Sequence, residues 1–404
     1  MKREYGTNGN NETDGKKNRR SSVCSVLSLP WLSSYTEKGN WRRRLRGQRS
    51  RGSLIAGVII IVFFYLGAIF AESLAPYDYS SQSRLEPMAP PTAIRFRDAQ
   101  GQWHARPFVY TRRLVDPTTR RYEEITDRAY PLELFARGSS YEFLCLFPTD
   151  LRLFGARGAV GDEPPRVYLL GADKFGRDRF SRLLVATRYS LLVGPIAALL
   201  ASALGILIGV TAGYKGGWTD IVLMRAADVM LALPDLVLIL AVRAAFPPGL
   251  SPASAIKLLL IVLVSLGWAE MARLARGLTW ELRQREYVKA AVSLGCSPAR
   301  LIVRHILLNA ALPLTTQALL ILPTFLLAET TLSFLGVGLQ EPEASWGSLL
   351  TAVDNNLFKR GHVLAELSPA IAITLFVLGV RLIADGLEKK RREKEERGAE
   401  AFSA

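Results

Sequence analysis

Long apolar runs separated by short polar breaks make up most of the chain, with one long polar stretch, 73–187, interrupting the pattern early. The apolar runs lie at 54–71, 190–212, 221–243, 255–272, 312–335 and 368–388. Each is close to the roughly 20 residues that an α-helix needs to cross the hydrocarbon of a bilayer. The pattern therefore predicts an all-α polytopic membrane protein with six transmembrane helices. The cations follow the same alternation. Arg42, Arg43, Arg44, Arg46, Arg49 and Arg51 precede the first run, and Lys215 and Arg225 flank the break between the second and third. Arg273, Arg276, Arg283, Arg285, Lys289, Arg300 and Arg304 fill the break between the fourth and fifth, and Lys389, Lys390, Arg391 and Arg392 follow the last. The intervening breaks, 246–253 and 340–366, are poor in cations or carry offsetting acids. Because basic loops stay on the cytoplasmic side, both termini are expected inside.

The break between the fourth and fifth runs is more than a connection. Tyr287, Ala291 and Leu294 fall at i, i+4 and i+7 with Val288 and Val292 beside them, while Arg285, Glu286 and Lys289 take the other side. This is the spacing of an amphipathic helix. Gly295 follows where a helix needs a residue free to adopt positive φ. Ser297 and Pro298 then read as an N-cap and a first-turn proline. Two short helices joined at an elbow on the charged side of the membrane make a docking surface for a soluble partner.

The polar stretch has a different character. It carries Pro76, Pro87, Pro90, Pro91, Pro107 and Pro117 among aromatics and alternating charges, and 103–110 and 166–170 read as short strands. It far exceeds ordinary loop length, which predicts a folded extracytoplasmic insert. A structural cap and a docking site for a receptor are both open readings of it. Residues 1–52, polar and then strongly basic, are expected to be a disordered cytoplasmic tail. The apolar run after them is too long for a signal peptide and is read as a retained span. Residues 389–404 form a second charged tail on the cytoplasmic side.

Composition narrows the function. The chain has 404 residues, 49% of them hydrophobic, and a formal net charge of +15. With the charge gathered in tails and inter-span loops, anionic lipid headgroups are the expected partner and nucleic acid is not. Cys24, Cys145 and Cys296, and His104, His305 and His362, show no metal-ligand spacing. No phosphate-cradling glycine loop and no nucleophile–base arrangement is present, so the chain reads as a translocation subunit and not an enzyme, with no cofactor of its own. The glycines Gly194, Gly205, Gly209 and Gly213 suit close helix packing in lipid. Asp228, Asp235, Arg243, Glu270, Glu329, Arg381 and Asp385 are ionisable groups within or beside apolar runs, costly there and therefore candidates for a pathway or a buried network, Glu329 foremost among them. An ion-coupled carrier or channel using Glu329 and Asp228 is the alternative reading. Such carriers often show internal repeats, and no repeat is evident here.

Several stretches together resemble one family. YVKAAVSLG (287–295) followed by RHILLN (304–309) is similar to the EAA loop of ABC-type import permeases. LLGADKFGRDRFSRLL (169–184), AGYKGGWTDIVLMRAADVMLALP (212–234), LAETTLSFLGVGLQEPEASWG (327–347) and ADGLEKKRR (384–392) resemble the C-type permease subunit of the dipeptide/oligopeptide branch, as does the first span with its following APYD (75–78). The resemblance runs through all six spans in order. Lys289 stands where the family usually has the glutamate that names the loop, Leu308 replaces a frequent proline, Ala172 a common threonine and Arg381 a usual asparagine. The long insert resembles an extended variant of the family.

What the resemblance implies is a type-1 ABC importer permease fold in the bacterial inner membrane, with a first helix at 53–72, an insert at 73–187 and a permease core at 188–388. Loop 285–313 would couple to ATPases through Tyr287, Lys289, Ala290, Ala291, Gly295, Ile306 and Asn309. The implied partners are a second homologous permease, two ABC ATPases that bind the ATP, and an extracytoplasmic solute-binding protein. The implied cargo is a peptide or a related small solute.

Overall fold

The computed structural model describes residues 52–143, 147–157, 164–245, 251–335, 339, 341–351 and 363–403. Of the expected tail at 1–52 only Gly52 is described, as the first residue of the first helix, and Cys24, Cys145 and His362 also lie outside the described residues. Where the chain is apolar it is helical, because a backbone that cannot bond water in lipid must satisfy itself. Among the described residues, five helical stretches are long and apolar enough to cross a membrane: Gly52–Ile69 (α1), Arg179–Lys215 (α3), Pro252–Arg283 (α6), Pro298–Ser333 and Ser368–Glu393. The fourth of these comprises α8 (Pro298–Leu301), a π-helical stretch (Ile302–Leu307) and α9 (Leu308–Phe334); the last lies within α12 (Ser368–Ser403), which follows the short α11 (Val363–Glu366).

The third expected span, 221–243, is not one helix. It is broken at Leu233 and Pro234 into α4 (Gly217–Ala232) and α5 (Asp235–Ala245). Leu233 is extended, at φ −81° and ψ 125°, as expected of a residue before proline, whose ring disfavours the α region. Among the described residues, five continuous helices of bilayer length stand against the six expected. The second span also differs from expectation: α3 begins at Arg179, well before 190. Asp178 sets that start, its carboxylate accepting from the backbone N–H groups of Phe180 and Ser181.

Between α1 and α3, after the short α2 (Ala71–Leu74), the chain forms a four-stranded antiparallel sheet in the order β1 (Arg95–Arg97), β2 (Trp103–Asp116), β3 (Arg121–Phe143) and β4 (Phe147–Ala156). The all-α reading thus describes the membrane part alone. The long β3 changes partner at Pro131, pairing with β2 before it and with β4 after it. Expected strand 103–110 is the start of β2, but 166–170 joins no ladder. It is extended chain held by side chains and single backbone bonds: Tyr168 N–H donates to Thr92 Oγ1 (2.9 Å), Thr92 N–H to Tyr168 O (2.7 Å), and the buried Arg112 guanidinium to Pro90 O (2.6 Å) and Arg166 O (3.1 Å).

Two apolar clusters hold the helices together. One joins α3, α6 and α9 through Ala197, Ala201, Leu259, Leu263, Met271 and Phe325. The other sets Phe64 of α1, Trp346 of α10 (Trp346–Thr351) and Phe376 of α12 edge to face, with ring centroids 5.6–6.0 Å apart. The α3–α6 contact is a backbone-to-backbone approach along Gly205, Gly209 and Gly213. A methyl group on Gly205 would lie 2.5 Å from Trp268 O, and one on Gly213 would lie 2.7 Å from Arg276 O. Gly194 has nothing within 4 Å of such a group and takes no part.

Candidate functional site

The elbow forms between α6 and α9. Helix α7 (Glu286–Ser293) ends where Gly295 takes φ +77°, with Gly295 N–H donating to Val292 O and Cys296 N–H to Ala291 O. A left-handed residue here lets the last carbonyls of α7 find donors and turns the chain sharply. Ser297 then occupies the cap position with an extended backbone but makes no side-chain capping bond, and Pro298 opens α8. The π-helical stretch Ile302–Leu307 carries the chain back into the membrane helix α9. Single π-turns are frequent at functional sites because they aim side chains that an α-helix would not.

Of the residues expected to act here, Ile306 is fully buried, as are Val288 and Leu301 beside it, and these three pin the elbow to the bundle. Ile302 and Leu307, like Leu274, Leu278 and Leu282 of α6, pack onto the cluster that includes Met271 and Ala275. Asn309 Nδ2 donates to His305 O at 2.6 Å, satisfying a carbonyl of the π-stretch. Ala291 is half-buried, whereas Tyr287, Lys289 and Ala290 are exposed. The apolar face of α7 is thus only partly covered by this chain: Leu294 is 88% exposed and Val292 55%. A groove of about 590 Å³, lined by Tyr214, Trp280, Arg283, Lys289 and Val292 among others, runs beside that face. Cys296 is a free, half-buried thiol.

The two helices that flank the elbow also line a second space. A cleft of about 370 Å³ lies at the break between α4 and α5, bounded by Met230 and Pro234 there, Gly267 and Glu270 on α6, and Gln317 and Thr324 on α9. Glu270 is exposed. It lies near the basic end of the apolar run 255–272, three residues before Arg273, or about 4.5 Å along α6 at 1.5 Å per residue. Broken helix at membrane depth is tolerated where it is buried in protein or borders a water-filled space.

Asp228 and Glu329, the acids of the alternative reading, are placed elsewhere. Asp228 of α4 is paired with Arg273 of α6 at 2.7 Å, and Asp220, two turns earlier, accepts from Nε and Nη2 of Arg276 at 2.9 and 2.6 Å. Glu329 is 3% exposed and accepts from Ser333 Oγ at 2.8 Å, with Ser345 Oγ in turn 3.3 Å from Ser333. Neither acid lines the cleft that holds Glu270.

Sequence reasoning missed a charge cluster between two of the motifs. Arg177 Nε donates to Asp173 (2.7 Å), its two terminal nitrogens reach Glu341, and Arg182 bonds Asp173 at 2.9 Å and Glu341 at 3.4 Å. Both arginine side chains are 3% exposed. Burial would push the Glu341 carboxyl up, but the hydrogen bond from Arg177 and the Arg182 and Arg177 charges hold it below the ordinary carboxylate range. Beside it, Trp346 Nε1 donates to Thr187 Oγ1 (3.0 Å) and Trp346 N–H to Ser190 Oγ (3.2 Å). The start of α3 is thereby locked to the segment after α9. The signal in the sequence was the density of Asp and Arg in ADKFGRDRFSR, which fixes no partner by itself.

The helix cap titrates. Burial raises the Asp178 carboxyl from 3.8 to about 6, although Ser181 and two backbone N–H groups donate to it. A raised carboxyl favours the protonated form on folding, so its contribution is fully present below about pH 4 and is lost as pH rises through 6. Asp178→Asn, which keeps an acceptor at the cap, is expected to flatten the thermal midpoint between pH 4 and 7. The variant should match the parent at pH 4 and exceed it at pH 7.

Residues 205–393 match the family described as binding-protein-dependent transport system inner membrane component. Residues 39–91 match the N-terminal transmembrane domain of oligopeptide transport permease C. The β-sheet lies between the two matched segments. The oligopeptide transport system permease of Bacillus subtilis (strain 168) is 34% identical over 227 residues, 56% of this chain and 72% of that protein. The dipeptide transport system permease of Alkalihalophilus pseudofirmus is 37% identical over 224 residues, 55% of this chain and 71% of the relative. The glutathione transport system permease of Pectobacterium atrosepticum is 32% identical over 242 residues, 60% and 78% of the two. With the elbow, the apolar helices and these likenesses together, the chain belongs to the C-type permeases of peptide-type ABC importers, as a non-catalytic, multi-pass subunit of the inner membrane.

Proposed function

We propose that this chain forms one side of the solute pathway at the Glu270 cleft and transmits ATPase motion to it through the elbow. The observation that carries this reading is connectivity: the elbow is the loop between α6 and α9, the two helices that border the cleft. A displacement of α7 is passed directly to both walls. Two ATPases, which bind the ATP, dock below the paired permeases, and the exposed face of α7 enters the contact through Tyr287, Lys289 and Ala290. Ala291 and Gly295 keep the helix and its turn in shape, and Ile306 and Asn309 hold the return into α9. A second, homologous permease closes the open side of the cleft, and a solute-binding protein delivers cargo on the insert's side. In this arrangement α4 and α5 together make the third of six crossings, and both termini are cytoplasmic. ATP-driven closure of the ATPases shifts the bundle between two rigid-body states.

The cargo is a short peptide, as the relatives' names suggest, and Glu270 is suited to its amino-terminal ammonium. In an apolar, partly dry cleft a carboxylate–ammonium pair is much stronger than in water. Proteoliposomes holding the assembled transporter test both parts. Glu270→Gln is expected to raise KM about tenfold for peptides with a free amino terminus, equivalent to 1.4 kcal/mol, and to leave N-acetylated peptides little changed. Omitting the ATPases should abolish uptake in every variant. Equal effects on the two peptide types would remove Glu270 from the pathway, and uptake without ATPases would overturn the coupling.

A further inference from the structure

The β3–β4 ladder of the insert closes on an apolar pair, where the ends of a sheet are ordinarily polar and solvated. The chain reads Phe-Leu-Cys-Leu-Phe over 143–147, and Phe143 and Phe147 form the last cross-strand pair of β3 and β4. Three contacts tie this ladder to the residues leaving α1, and they occur in order. Arg152 Nη1 donates to Ala75 O at 2.8 Å, Tyr141 and Ser73 share a hydrogen bond of 2.9 Å, and the Phe143 ring stacks on Phe70 with centroids 5.8 Å apart. Descending from Ala75 to Phe70 toward the membrane helix therefore means descending the ladder toward Phe143 and Phe147.

Phe70 directly follows Ile69, the end of the apolar span Gly52–Ile69. Its 18 residues make a helix about 27 Å long, close to the thickness of bilayer hydrocarbon. Phe70 and the Phe143–Phe147 pair thus stand where hydrocarbon gives way to headgroups, the layer in which aromatic side chains are enriched. Phe147 is 66% exposed, and the patch continues an apolar surface of α1 in which Phe63 is 72% and Leu66 49% exposed. Arg188, bonded to Glu72 at 2.7 Å and to Ala68 O at 3.2 Å, places charge at the same level.

We propose that Phe143 and Phe147, the last cross-strand pair of β3 and β4, are seated in the headgroup layer of the leaflet on the insert's side, so that lipid anchors the insert together with α1. Lipid is the occupant because the patch is continuous with the surface that α1 already presents to the bilayer. The anchor holds the sheet at a fixed height while α6 and α9 move.

A nitroxide label reads this directly. Phe147→Cys is labelled in a chain carrying Cys24→Ser, Cys145→Ser and Cys296→Ser, assembled with its partner subunits in phosphatidylcholine–phosphatidylglycerol vesicles. Thr119→Cys, at the opposite end of the sheet between β2 and β3, serves as the aqueous reference. The expected result is collision with a water-soluble nickel chelate at least fivefold lower at 147 than at 119, with oxygen accessibility retained. Equal nickel accessibility at the two sites overturns the proposal. Shielding from both reagents, the mark of burial against a protein partner, overturns it as well. If the Phe147→Cys chain does not assemble, Pro148→Cys gives the same reading.

Discussion

Gly209→Leu is expected to leave little folded protein in the membrane. The α-carbon hydrogen of Gly209 faces the backbone of α6, where any β-carbon would collide with Ala272 O and lie 2.8 Å from Ala275 Cβ. Gly205 and Gly213, one turn away on either side, meet the same helix at Trp268 and Arg276. In lipid no hydrophobic drive pulls two helices together, so close packing supplies much of the association. A leucine must push α6 away along its length or break the register of three contacts at once. Overpacking costs about 1–3 kcal/mol in an adaptable core, and more here because the obstacle is main chain. The measurement is size-exclusion of detergent-extracted protein with a thermal ramp. The folded peak should be lost, or its midpoint should fall by about 10 °C. Gly194→Leu, with open space around it, should behave like the parent. Equal behaviour of the two variants would mean that the α3–α6 approach carries no stability.

Ala291→Pro is expected to separate ATP hydrolysis from uptake. Ala291 lies in the second turn of the eight-residue helix α7. A proline there removes a backbone donor and clashes with the preceding turn, at about 3 kcal/mol. So short a helix has no length in which to absorb that cost. Val288, Leu301 and Ile306 are buried beneath it, so the bundle should persist while the lever above it loses shape. With coupling lost, uptake by proteoliposomes should fall about a hundredfold, the equivalent of some 3 kcal/mol, while the ATPases remain bound and continue to hydrolyse ATP. A proportional loss of both activities, or of ATPase binding, would show that α7 docks without acting as a lever.

The parts of this protein legible in its sequence are those set by local physics. Apolar runs of bilayer length can only be helices, and α1, α6, α9 and α12 lie where the runs are. Gly295 was readable because a left-handed turn excludes most side chains, and Pro298 because its ring fits the first turn of a helix. The misreadings share a cause as well. Pro234 lies within an apolar run, and length alone predicts one continuous helix there although the ring breaks it. Segment 166–170 has the composition of a strand, but no neighbouring edge receives it. The start of α3 was set too late because its first turns are charged, and only the buried cluster around them makes those charges affordable in a helix that enters the membrane.

The same division holds for the site. Amphipathic spacing and the distribution of cations marked 285–313 as an elbow before any neighbour was known. That Val288 and Ile306 anchor it while Leu294 stays bare depends on how α6 and α9 pack. Glu270, Asp228 and Glu329 all read as acids in apolar runs, with Glu329 foremost. Tertiary structure separated them, giving Asp228 to Arg273, Glu329 to Ser333, and leaving Glu270 at the cleft. Arg177 and Glu341, 164 residues apart in the chain, could be joined by no local rule. Secondary structure follows from interactions within a few residues, which the order of side chains determines. The partner of a buried charge depends on which distant surfaces meet, and only the packed fold decides that.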